Sequence, residues 1–109
     1  MGYRFDLDGK VVAYCPDTGI CENAVLLAED VDLLITECSH KPGENSPDWP
    51  HLNPEDAAEI ARRAKAKRLA LTHFDAGRYT TVQERLDAVK SIMNFSDVVV
   101  GCDDLVLEI

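Results

Sequence analysis

Basic residues are scarce in this sequence. Lys and Arg total 11 against 20 Asp and Glu, giving a formal charge of −9 and a pI near 4.6. No long basic run occurs, which excludes an extended nucleic-acid surface and leaves only local contacts with a polyanion. No apolar run approaches the roughly 18 residues of a membrane-spanning helix. The opening MGYRFDLDGK has no apolar core of a secretion signal. A cytoplasmic chain without a membrane partner is the expectation. Histidine is rare, with only His40, His51 and His73, and Trp49 is the single tryptophan. The four cysteines, Cys15, Cys21, Cys38 and Cys102, form no CxxC pair and no zinc-ribbon spacing. Each adjoins an apolar segment and reads as a small, buried, reduced thiol.

What is present suits one compact domain of 109 residues, with 46% hydrophobic and 28% charged positions. Tyr3 to Asp8 alternates apolar and polar residues, Val11 to Cys15 is a second short apolar segment, and Asp8-Gly9 between them signals a hairpin turn. ENAVLLAED (22–30) reads as a helix and VDLLIT (31–36) as a buried strand. SHKPGENSPDWPHLN is then a long loop carrying three of the five prolines. Asn53-Pro54-Glu55-Asp56 starts a helix that runs to about Lys67, with Ala57, Ala61 and Ala64 on one small-residue face. Arg68 to Thr72 is a strand. Thr81 to Asn94 is a helix with Val82, Leu86, Val89 and Met93 on its apolar side. Asp97 to Val100 and Leu105 to Ile109 close the chain as two strands. The order ββ-α-β-α-β-α-ββ implies a largely parallel sheet with antiparallel edges.

Three strands end in an ionisable group: VVAYCPD at Asp17, LLITE at Glu37 and LALTH at His73. VVVGCDD brings Asp103 to a comparable place. Carboxyl ends of neighbouring strands in an open α/β sheet converge on one crevice. Two acids and an imidazole there would suit zinc, iron or manganese. The plainer alternative is that strand ends near solvent are simply polar. His40, beside Lys41 in the loop, reads as solvated rather than as a ligand, and Trp49 as a lid, a partner contact or a cover for the helix start.

The run from DGKVVAYCPDTG through LLITECSH, HLNPEDAAEIA and LALTHFDAGRY resembles the C-terminal half of the metallo-β-lactamase fold. Within that fold it is similar to the tRNA 3′-processing endonucleases, the ribonuclease Z branch. The resemblance implies an α/β architecture: half of an αββα sandwich, one mixed sheet with helices packed on one face. It implies that Asp17 bridges two metal ions and that His73 is a histidine ligand. It also implies that Glu37 and His51 assist proton transfer to a leaving oxygen, and that Arg78 and Tyr79 contact substrate. The cofactor implied is zinc, or another divalent ion such as manganese or iron. The family's HxHxDH motif lies in an N-terminal half that this sequence does not contain.

Two functions follow as expectations. One is a ribonuclease Z-like phosphodiesterase half-domain, completed by its missing N-terminal half and acting on a nucleic-acid or other phosphodiester substrate. The other is a non-catalytic module that covers its bare sheet face as a homodimer.

Overall fold

The computed structural model describes residues 2–15, 22–43, 51–75, 77, 79–90, 92 and 97–101. Strands β1 (Tyr3–Leu7) and β2 (Lys10–Cys15) form an antiparallel hairpin, Tyr3 opposite Tyr14 and Leu7 opposite Lys10. Asp8 and Gly9 take φ of 53° and 84°, the left-handed pair that matches strand twist in a two-residue turn. The Asp6 carboxylate fastens the turn by accepting the Gly9 N–H at 3.1 Å.

The chain continues through α1 (Glu22–Leu27), β3 (Leu33–Glu37), α2 (Pro54–Ala64), β4 (Leu69–Thr72), α3 (Val82–Lys90) and β5 (Val98–Val100). The five strands make one sheet in the order β1-β2-β3-β4-β5, parallel from β2 to β5. This is the mixed sheet that the alternation of elements predicts. The second edge hairpin, expected at 105–109, lies outside the described residues.

Register sorts the strand side chains onto two faces. Ala13, Cys15, Leu34, Leu69 and Leu71 share a buried cluster with Ala24 and Val25 of α1, Ala57, Ile60, Ala61 and Ala64 of α2, and Ile92. The described helices therefore contribute their apolar sides to one face of the sheet. Alanines at the α2 contact remove side-chain bulk and let that helix lie close. On the other face Val12, Leu33 and Ala70 are buried, with Ile35 beside them. β1 extends this second face with Tyr3, Phe5 and Leu7, which are 49%, 47% and 55% exposed.

Several element boundaries differ from expectation, among them the end of α1, which stops at Leu27 instead of residue 30, and three have an evident physical reason. α2 stops at Ala64, short of Lys67, because Lys65 turns left-handed (φ 60°) and its N–H returns to the Ala61 and Arg62 carbonyls. β3 starts at Leu33, two residues late. Asp32 instead turns its carboxylate to the Val11 N–H at 2.9 Å and to Lys67 Nζ at 3.0 Å. α3 is shorter than Thr81 to Asn94 and its apolar stripe is shifted. Leu86 is 44% exposed, while Ala88 and Ile92 are buried and Arg85 lies over the Phe74 ring at 5.3 Å. Burial thus follows positions 85, 88, 89 and 92, a stripe at the same helical spacing turned away from Leu86. Met93 lies outside the described residues.

Candidate functional site

The end of β3 carries Glu37 into the middle of the sheet, between β2 and β4. Its side chain is fully buried, where a carboxylate is stable only if donors surround it. Oε2 accepts the Ser39 N–H at 2.8 Å and Oε1 accepts the Leu52 N–H at 2.6 Å. The Nδ1 of His51 stands 3.5 Å from Oε1, with the imidazole 8% exposed. That separation is long for a hydrogen bond but short for a charge contact once the ring carries a proton. The segment that presents His51 leads straight into α2, whose start is set by Asn53: its side chain accepts the Asp56 N–H at 2.8 Å. A well-capped helix thus fixes the height of His51 above the sheet. The His40 N–H donates to the Leu52 carbonyl at 3.1 Å and joins the two ends of the long loop.

β4 ends next door, its Thr72 paired with Glu37. His73 then takes φ 54°, a left-handed conformation that costs a non-glycine residue about 1–2 kcal/mol. Two bonds across the rim hold it there: the Cys38 N–H to the Thr72 carbonyl at 2.8 Å and the Ser39 hydroxyl to the His73 carbonyl at 3.3 Å. The His73 residue itself is exposed. Tyr79 is buried, and its hydroxyl donates to the His40 carbonyl at 2.7 Å. Its ring meets Phe74 edge-on at 4.9 Å. The structure therefore brings Glu37 and His51 together, sets His73 on the adjoining strand end, and puts Tyr79 beneath the segment after β3. Asp17, Arg78, Trp49 and Asp103 lie outside the described residues.

His40 corrects an expectation. Rather than being solvated, it is 1% exposed. Its ring packs edge-on to His51 with centroids 5.6 Å apart and planes at 67°. Among the described residues, neither ring nitrogen finds a hydrogen-bond partner. Leaving such a group buried and unmatched costs about 1–3 kcal/mol. Nothing in ECSHKPG signals this, because the ring's contact is with His51, a residue far along the chain. Cys15 and Cys38 are both buried, as expected of them. Burial pushes the Cys38 thiol up to about 12, which keeps it protonated at neutral pH.

Among the described residues no three His, Cys, Asp or Glu side chains come together in a way that could hold a metal ion. A catalytic zinc takes three protein ligands, and His73 offers one exposed imidazole. The described residues by themselves do not make a zinc site. Among them, no helix is long and apolar enough to cross a membrane.

Comparison with known proteins agrees with this fold. The family model for the beta-lactamase superfamily domain matches residues 1–74. Ribonuclease Z of Bacillus licheniformis is 43% identical over 99 residues, which is 87% of this chain and 31% of that protein. Ribonuclease Z of Sulfolobus acidocaldarius is 39% identical over 90 residues, 83% of this chain and 30% of that protein. This chain thus spans under a third of the length of these two relatives. The metallo-beta-lactamase fold protein YhfI from Bacillus subtilis superposes with a TM-score of 0.73 at 26% identity, over 90% of this chain and 39% of that one. Human tRNase Z, short form, shares the fold with a TM-score of 0.70 at 23% identity, over 98% of this chain and 37% of that one. With the mixed sheet, the one-sided helices and these matches in hand, the chain belongs to the β-lactamase superfamily, on its ribonuclease Z-like side.

Proposed function

We propose that this chain supplies the proton-transfer side of a ribonuclease Z-like, metal-dependent phosphodiesterase. The observation that carries the reading is the buried pair of Glu37 and His51. Two backbone N–H groups hold the carboxylate in place, so it faces His51 without having to reorganise. A carboxylate on the Nδ1 side keeps a proton there and frees Nε2 to exchange one. In the reaction, Nε2 first takes up a proton from solvent, and the doubly protonated ring, steadied by Glu37, gives that proton to the oxygen leaving phosphorus and returns to its Nδ1–H form.

In this reading His73 and Asp17 are this chain's ligands toward zinc, or manganese or iron, and the remaining ligands come from a longer protein or a partner chain. Such an ion, when bound, supplies Lewis acidity and an activated water. Arg78 is assigned to a substrate phosphate. Tyr79, with its hydroxyl engaged by the His40 carbonyl, supports the frame beneath it. Precursor tRNA is the substrate class that the relatives suggest. Buried thiols at Cys15 and Cys38 suit a reducing cytoplasm.

The test is a chimera in which this chain replaces the matching segment of the Bacillus licheniformis ribonuclease Z. It should cleave precursor tRNA, and His51→Ala should lower kcat about 10²–10⁴-fold, the range for losing a general acid. A folded, metal-loaded chimera that is inactive, or indifferent to His51→Ala, contradicts the reading.

A second reading rests on a different observation. Tyr3 and Phe5 stack at 6.3 Å on the sheet face opposite the helices, and with Leu7 they leave an apolar strip exposed. A face of this kind favours pairing, and two copies related by a two-fold axis could cover it for each other. Here the chain is a self-associating module without catalysis. Sedimentation of the isolated chain should then give a dimer that Phe5→Asp converts to monomer. A well-folded monomer for the unaltered chain excludes this reading.

A further inference from the structure

We infer that His40 is a positioning residue for His51. The inference rests on the reading of Glu37 and His51 as a proton-transfer pair and adds a third member to it. Hydrogen bonding is not what the His40 ring does, because both of its nitrogens are buried without a partner among the described residues. What the ring does contact is His51, edge-on at 5.6 Å and 67°, a favoured arrangement for two π systems. Such a contact restricts rotation of the His51 ring and keeps Nδ1, not a ring carbon, on the side of Glu37.

The backbone of His40 makes it a stable wall for this purpose. Its N–H is bonded to the Leu52 carbonyl at 3.1 Å, one residue past His51. Its carbonyl accepts the Tyr79 hydroxyl at 2.7 Å. The segment after β3, the start of α2 and the residues after β4 are thereby fastened at a single position. A ring mounted there moves with the frame that also holds Glu37, through the Ser39 and Leu52 N–H groups. The contact is between ring shapes, so a phenyl group should serve at position 40 and a branched aliphatic should not.

The experiment uses the full chain labelled with 15N-histidine. Its three histidines make the ring nitrogens of His51 separable in long-range 1H–15N spectra, which report the tautomer without any activity. The unaltered chain and His40→Phe should show His51 in one predominant tautomer, with Nδ1 protonated. His40→Leu should lose that signature and move toward a mixture, while its thermal midpoint holds because two unmatched nitrogens have been removed. A His51 spectrum unchanged in folded His40→Leu overturns the inference, as does a His40→Phe spectrum as altered as that of His40→Leu. Should His40→Leu fail to fold, His40→Met takes its place. If both fail, His40 is a packing residue and the inference falls. The phosphodiesterase reading stands or falls separately, on the activity of the His51→Ala chimera.

Discussion

Glu37 and Glu84 show how one residue type is held in two ways. Glu37, wholly buried, depends on backbone N–H groups already fixed by the strand end and the start of α2. Glu84, on α3, accepts from Lys41 Nζ at 2.6 Å and from the Thr80 N–H at 3.1 Å. The lysine and the Thr80 hydroxyl pull its carboxyl from the ordinary 4.5 to about 2. Because the folded pKa is the lower one, the folded chain binds fewer protons than the unfolded chain between these values. The tie is therefore whole above pH 4.5 and lost as pH falls toward 2. Lys41 follows His40 directly, so acid loosens the very segment that faces His51. Chemical unfolding across this range should show stability dropping less steeply for Glu84→Gln than for the unaltered chain. Equal slopes would contradict the assignment.

Among the elements, α2 has the most work to do, since its first turn sets His51 and its alanine face sets the distance to the sheet. Its end is less well suited: Lys65 adopts φ 60°, where a glycine would be at ease. Lys65→Gly should raise stability by roughly 0.5–1 kcal/mol, the left-handed penalty less the added freedom of the unfolded chain. A lower unfolding midpoint for that variant would show that the lysine side chain matters more than its backbone. The start of α2 was legible in Asn53-Pro54-Glu55-Asp56 because capping is local chemistry, and Asp8-Gly9 announced the hairpin for the same reason. The end of α2 was not legible, since no glycine marks it and the left-handed turn falls on a lysine. The stripe of α3 was misread because Arg85 can cover Phe74 with its guanidinium and take a place that a pattern of apolar letters gives to Leu86. His40 was hidden more deeply, since its ring packs against His51, a residue distant in the sequence.

For the molecule as a whole, the decisive arrangement is that β3 and β4 run parallel side by side, so that Glu37 and His73 reach the same edge of the sheet on adjacent strands. Strand alternation and short motifs made that edge readable from the sequence. The partnership of His51 with Glu37 needed the resemblance, because a 14-residue gap says nothing about distance. The chain covers 31% of the Bacillus licheniformis protein, and one imidazole from His73 does not complete a metal centre. Whole-molecule function therefore has to be read in the chimera. There, a double-mutant cycle on Glu37 and His51 tests the central claim directly. If the two act as one proton-transfer unit, Glu37→Gln and His51→Ala should each lower kcat, and the double variant should be about as slow as the worse single one. Losses that multiply as though the residues were independent, in variants that remain folded and metal-loaded, would contradict it.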